Sequence, residues 1–274
     1  MIRCNDNPNM INVSQSKGMT GLLRAGLFLF VGIAGVCARP LEILFVGNSY
    51  VYVNNLPDVF TKVAAGAGLE PPHVAMHAPG GQTLTGHCSD ANLMKILAGH
   101  FDVVILQEQS EIPAMAETNL PLRKSFIGAC QRLSNIIHQQ HPDTKIVLFQ
   151  TWARHASAWK RPQDVANLGS NADEMQARLS RWYAEAGRQI SARVAPVGDA
   201  WRANYHSSEP ALLHDADGSH PSPAGTYLTA LVLVGVVYDT QITTRYTGPF
   251  SETAPVRLRI LALTNQALRK VQQP

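Results

Sequence analysis

The chain reads as an α/β protein: a parallel sheet with helices on both faces. Three observations predict this. Five short apolar runs recur along the sequence, at 41–46, 74–78, 101–106, 145–149 and 194–197. Runs such as Val103-Val104-Ile105-Leu106 are continuous rather than alternating, as expected of strands covered on both faces. Between them lie helical patterns, and strands that alternate with helices imply parallel pairing through helical crossovers. With 274 residues and 45% hydrophobic composition, the chain is long enough to bury a substantial core in one domain.

In chain order, 41–46 is strand one, interrupted only by Glu42, and it runs into the turn Gly47-Asn48-Ser49. Asn54-Asn55 then offers a helix cap and Pro57 suits the first turn. Val59, Phe60, Val63 and Ala64 share one face of the following helix, which Gly66 or Gly68 ends. Strand two, at 74–78, is broken by Pro79-Gly80-Gly81. A helix at 92–97 precedes strand three, which ends in Gln107-Glu108-Gln109-Ser110. The helix predicted over 122–140 places Phe126, Cys130, Leu133, Ile136 and Ile137 on one face. Strand four ends in Gln150-Thr151-Trp152. Residues 153–172 read as a polar loop, followed by a helix over 173–191, strand five and a short helix at 200–205. A loop with Asp215, Asp217 and His220 leads into a helix at 223–237, and an amphipathic helix spans 253–271.

The N-terminal 38 residues read as a signal-peptide region. An apolar stretch at 21–36 contains only Arg24 as a charge, and Val36-Cys37-Ala38 places small residues where a signal peptidase acts. Its core, 25–36, is shorter than the ~20 residues a membrane span needs. Met19 makes a better start for such a peptide than Met1, and a retained membrane anchor is the alternative. Cleavage after Ala38 removes three bases (Arg3, Lys17, Arg24) and one acid (Asp6), leaving a nearly neutral mature domain over 39–274. Export to a secreted or periplasmic location follows from this reading, with no stable membrane insertion after cleavage. The formal charge of +3 gives no footprint for nucleic acid. Cys88 and Cys130 remain after cleavage and could pair or stay free. No Cys-x-x-Cys pair or His/Cys cluster in the sequence suggests zinc, so neither a metal nor another cofactor is expected.

Ligands of open parallel sheets bind beyond the C-terminal ends of the strands. There the chain puts Gly47-Asn48-Ser49, Gly80-Gly81, Gln107 to Ser110 and Thr151-Trp152. Ser49 can be a nucleophile only with a base and a group that orients the base. His220 and Asp217, three residues apart, can supply both from one loop, with Asp199 and Asp215 as rival acids. Taken singly, Ser49 could be a helix cap, His220 a surface histidine and Asp217-Gly218 a turn. An acyl-transfer site also needs donors for an oxyanion. The backbone N–H groups of Ser49 and Gly81 are candidates, as are the side-chain amides of Gln107 and Gln109, alternate residues at one strand end. Gly80, Trp152, Arg154 and Asn48 are candidate substrate-binding residues.

These segments resemble the SGNH (GDSL-like) hydrolase superfamily. Gly47-Asn48-Ser49 is similar to its first block, with Asn48 in place of the usual Asp; Gly81 is similar to its second-block glycine. Asp217-Gly218-Ser219-His220-Pro221 matches the Asp-x-x-His-Pro of the last block. The third block departs, with Gln107-Glu108-Gln109-Ser110 where the family has Gly-x-Asn-Asp; Gln109 is the substitute expected for its oxyanion side chain. Leu106 to Ser110 and Pro221 to Leu228 also resemble a less characterised bacterial subgroup. The resemblance, over about residues 41–240, implies a flavodoxin-like three-layer α/β/α sandwich and metal-free ester hydrolysis through an acyl-enzyme on Ser49. A short acyl group on a carbohydrate is the expected substrate. The rivals are a lipolytic esterase or thioesterase acting on longer chains, and a non-catalytic carbohydrate-binding protein.

Overall fold

Alternate residues of a strand point to opposite faces of a sheet, and here both faces are buried. Ile43 and Phe45 of the first strand enter one apolar cluster, while Leu44 and Val46 enter another on the opposite face. A computed structural model describes residues 39–248 and 254–272 of the chain, which fall in one compact unit. The predicted signal-peptide region, 1–38, lies outside the described residues. Among the described residues no helix is long and apolar enough to cross a membrane.

The five strands are β1 (Glu42–Val46), β2 (His73–His77), β3 (Val103–Leu106), β4 (Lys145–Phe149) and β5 (Arg193–Ala195). All neighbours pair in parallel, in the order β2-β1-β3-β4-β5. This is the flavodoxin-like order, and its connections leave β1 in opposite directions to β2 and β3. The resulting crevice opens at the C-terminal ends of β1 and β3, where Gly47-Asn48-Ser49 and Gln107 emerge.

The helices, in chain order, are α1 (Ser49–Tyr52), α2 (Leu56–Gly66), α3 (Leu84–His87), α4 (Ala91–Leu97), α5 (Ile112–Met115), α6 (Leu120–Gln140), α7 (Ala172–Gln189), α8 (Val197–Tyr205), α9 (Pro223–Val237) and α10 (Ala254–Gln272). One layer holds α2, α8, α9 and α10, and the other holds α4, α6 and α7. Their starts follow side-chain chemistry. Asn119, Asn171 and Ser222 cap α6, α7 and α9, each side chain accepting from the backbone N–H of the third residue of its helix. Residues Ala224 to Val236 of α9 are all buried, so this helix has no polar face; it packs between the sheet and α2, α8 and α10.

Several boundaries differ from the sequence expectation. The last strand ends at Ala195, because Pro196 lacks an N–H and α8 already begins at Val197. The stretch 153–172 contains two short 3₁₀ turns, Ala156–Lys160 and Pro162–Asp164. The four-residue helices α1, α3 and α5 are too short to leave a periodic signal. Cys88 and Cys130 are both free thiols, and burial raises the Cys130 thiol well above its ordinary pKa.

Candidate active site

The turn that carries Ser49 is fixed before Ser49 is reached. Gly47 donates its N–H to His77 O at 3.2 Å and accepts from His87 Nε2 at 2.8 Å. A Cβ on Gly47 would collide with Gln107 Oε1 and Val51 Cγ2, so the position admits only glycine. Asn48 is 3% exposed and spends all its polar groups internally. Its N–H donates to Gln107 Oε1 at 2.9 Å, its Oδ1 accepts from Tyr50 N at 3.2 Å, and its Nδ2 donates to Gln82 O at 2.9 Å. The last bond ties the Pro79–Gln82 turn to the Gly47–Ser49 turn. That turn closes by Gln82 N–H to Pro79 O, with Gly81 at φ +68°, the sign a type II turn requires at its third residue.

The segment from His214 to Ser222 returns to Ser49 and is held at many points. His214 and Pro221 form an antiparallel bridge, and Asp215 N–H donates to His220 O at 2.8 Å. His155 N–H donates to Gly218 O at 2.9 Å, Trp152 Nε1–H to Ser219 O at 3.0 Å, and Asn54 Nδ2–H to Pro221 O at 2.8 Å. The Tyr50 and Ser219 hydroxyls lie 2.8 Å apart. Thus anchored, Asp217 Oδ1 accepts the N–H groups of Ser219 and His220, each at 2.9 Å, and its Oδ2 meets His220 Nδ1 at 2.5 Å. His220 Nε2 stands 2.9 Å from Ser49 Oγ. Because Nδ1–H donates to the carboxylate, Nε2 carries the lone pair and the Ser49 hydroxyl donates to it.

Partial burial alone would push the Asp217 carboxyl up. The bond from His220 and the two backbone N–H groups outweigh that effect and hold it at about 2. It therefore stays anionic across the neutral range, as needed to orient an imidazole and stabilise its protonated form. The rival acids lie elsewhere. Asp199 accepts from Ser180 Oγ at 2.7 Å and Gln150 Nε2 at 3.2 Å, and Asp215 Oδ1 accepts from Ala216 N.

The expected oxyanion groups divide. The N–H groups of Ser49 and Gly81 have no hydrogen-bond partner among the described residues, which leaves both available. Gln107 differs from its expected role. Fully buried, it accepts from Asn48 N and donates to Glu108 O, so it braces the turn from beneath. Gln109 Oε1 accepts from Glu111 N and Ile112 N at the start of α5, and its Nε2 has no partner among the described residues.

Three expected substrate contacts, Trp152, Arg154 and Asn48, are engaged within the protein. Trp152 is 1% exposed and stacked between Tyr50 (4.5 Å between ring centroids) and Trp201 (3.9 Å). Its role is to pin Ser219 O, one residue before His220. Arg154 donates to Tyr50 Oη at 2.9 Å and pairs with Glu111 at 2.6 Å. Asn48, described above, is likewise internal. Gly80 is exposed beside the Tyr52 hydroxyl. Nothing in local sequence announced Tyr50, Asn54 or His214 as part of this scaffold. A cavity of about 250 Å³ lined by Arg154, His155, Trp201, Tyr205 and His214 adjoins the loop, but none of Ser49, Asp217 or His220 lines it, so it is not the reaction site.

The five-stranded parallel sheet between two helical layers is the three-layer α/β/α fold also found in solved lipase and acylhydrolase structures. No family model matches the sequence, and no curated protein does so. Solved structures do match. A DUF4886 family protein from Bacteroides uniformis aligns over 86% of this chain and 97% of its own, with TM-score 0.68 and 16% identity. A lipase/acylhydrolase from Enterococcus faecalis aligns over 76% of this chain and 100% of its own, with TM-score 0.51 and 16% identity. A candidate GDSL-like lipase from Parabacteroides merdae aligns over 71% and 94%, with TM-score 0.54 and 15% identity. At these identities the likeness establishes the fold.

Proposed function

We propose that the chain is a serine ester hydrolase acting through an acyl-enzyme on Ser49. The observation that carries this reading is the continuous line Asp217 Oδ2, His220 Nδ1, His220 Nε2, Ser49 Oγ, with contacts of 2.5 and 2.9 Å. Ser49 Oγ attacks the ester carbonyl while its proton passes to His220 Nε2. The tetrahedral oxyanion takes hydrogen bonds from the N–H groups of Ser49 and Gly81, with Gln109 Nε2 as the side-chain candidate. Collapse breaks the bond to the alkoxy group, which leaves with the proton from His220. Water then attacks the acyl-serine, giving its proton to the same nitrogen, and the acid departs as Ser49 recovers its hydrogen.

The substrate in this reading is a short acyl ester, such as acetyl, on a polar scaffold of carbohydrate type. Supporting it, the Asp217 and His220 side chains are 49% and 35% exposed, so the histidine side of the site is open to a bulky alcohol. On the reading of 1–38 as a signal-peptide region, the enzyme acts in the secreted or periplasmic space, where polymeric esters are met.

Purified protein is expected to hydrolyse p-nitrophenyl acetate, with a loss of at least ~10³-fold in Ser49→Ala. A preference for long-chain esters would move the substrate to the lipolytic class. Equal hydrolysis by wild type and Ser49→Ala would remove the mechanism. Absence of activity on every ester would favour a binding protein on this fold.

A further inference from the structure

Beneath the nucleophile turn, three side chains from three elements converge: His77 at the end of β2, His87 at the end of α3, and Asp90, the N-cap of α4. One ring nitrogen of each histidine and a carboxylate oxygen of Asp90 lie within 4.8 Å of one another. We infer that His77, His87 and Asp90 form a site for a first-row divalent metal ion of the zinc type, built against the back of the Ser49 turn.

The first observation is the state of His87. The side chain is fully buried, and its Nε2 lies 2.8 Å from Gly47 O, a carbonyl that can only accept. Nε2 therefore carries the hydrogen and Nδ1 the lone pair. That Nδ1 is buried with no hydrogen-bond partner among the described residues. Buried polar atoms without partners are rare and costly. A metal-binding imidazole has this arrangement: one nitrogen toward the ion and the other donating to a backbone carbonyl, which fixes the ring.

The second observation is the company it keeps. His77 Nε2 and Asp90 Oδ2 lie 2.7 Å apart, while Asp90 Oδ1 is held by the N–H groups of Asn92 and Leu93 at 2.8 and 3.2 Å. The carboxylate is thus oriented by its own helix, with Oδ2 left for a partner. Ligands of a tetrahedral ion at ~2.1 Å stand ~3.4 Å apart, so the three donors need shifts of about an ångström or less to enclose one. Binding replaces the His77–Asp90 hydrogen bond, with the hydrogen on His77 Nε2 passing through solvent to its Nδ1, and water completes the coordination. The His77 and Asp90 side chains are 13% and 17% exposed, which leaves an entry from solvent. Two imidazoles and one carboxylate suit zinc or a neighbouring transition ion and disfavour magnesium or calcium, which take oxygen ligands.

The ion would join β2, α3 and α4 at one point and, through the His87–Gly47 bond, stiffen the turn that carries Ser49. Its test needs no esterase assay. Full-length protein stripped with chelator and desalted is titrated with Zn²⁺ by calorimetry, and thermal unfolding is followed with and without excess Zn²⁺. One Zn²⁺ per chain should be lost in His77→Ala and bound at least ~10-fold more weakly in Asp90→Asn, which keeps the helix cap. Saturating Zn²⁺ should raise Tm by ~5–10 °C in wild type and not in His77→Ala, whereas Mg²⁺ should leave Tm unchanged. The inference is overturned if wild type takes up no Zn²⁺ at micromolar concentration, or if both variants bind and respond to it as wild type does.

Discussion

Replacing Trp152 by phenylalanine separates a positioning role from a substrate contact. The ring is 1% exposed, lies flat between Tyr50 and Trp201, and donates Nε1–H to Ser219 O at 3.0 Å. Phenylalanine keeps an aromatic ring in the stack and deletes the donor. A neutral hydrogen bond contributes ~1 kcal/mol, and the carbonyl left behind has partial access to water. The smaller ring also leaves an unfilled volume of roughly one five-membered ring, for a further ~1 kcal/mol. The expected loss is therefore ~2 kcal/mol, read as a lower urea midpoint with unchanged slope. Ser219 immediately precedes His220, so relaxation there moves the imidazole relative to Ser49 Oγ. The kcat on p-nitrophenyl acetate should fall ~10-fold while KM stays within twofold, because displacement by a fraction of an ångström is enough to misalign the base. A raised KM with unchanged kcat would show that Trp152 touches substrate and would refute the packing argument. Unchanged stability would refute the hydrogen-bond argument.

Two further outcomes follow from buried or strained positions. Glu108 is 1% exposed, and burial raises its carboxyl from the ordinary 4.5 to about 7, despite accepting N–H groups from Leu84 and Gln109 on one oxygen. Folding favours the protonated form, so stability from this group is complete below pH 4.5 and is lost as pH rises to 7, by ~3 kcal/mol. Glu108→Gln retains an acceptor oxygen and should flatten that slope in unfolding curves taken from pH 4.5 to 8; an unaltered slope would assign it to other groups. Gly81 has φ +68° with open space where a Cβ would sit, so Gly81→Ala carries only a conformational cost of ~1–2 kcal/mol. If its N–H holds the oxyanion, kcat should fall by ~10²-fold as the turn shifts; full kcat at reduced stability would remove Gly81 from that role.

The strands, most helices and the placement of polar residues at strand ends were legible because each depends on local pattern. Val103 to Leu106 is apolar throughout and is buried on both faces. Asp217 and His220 were legible as a pair because their three-residue spacing fits a single loop. Residues whose partners lie far away in sequence show where local pattern stops. Gln107 looked like an oxyanion donor because it ends a strand, yet the opposite edge of the β1–β3 crevice turns it inward to brace Asn48. Trp152, at the end of a strand, was a candidate substrate contact, and only the fold sandwiches it between Tyr50, 102 positions earlier, and Trp201. His77, His87 and Asp90 lacked any recognisable ligand spacing, since their meeting depends on how α3 and α4 pack beside β2.

The central claim is that Ser49 is a nucleophile activated by His220. Its most direct test is covalent labelling with a fluorophosphonate, which phosphonylates activated serines, followed by peptide mass spectrometry. One phosphonyl group per chain on Ser49, absent in Ser49→Ala and at least ~10²-fold slower in His220→Ala, is the expected result. Labelling at another serine, or none at Ser49 in folded wild-type protein, would contradict it.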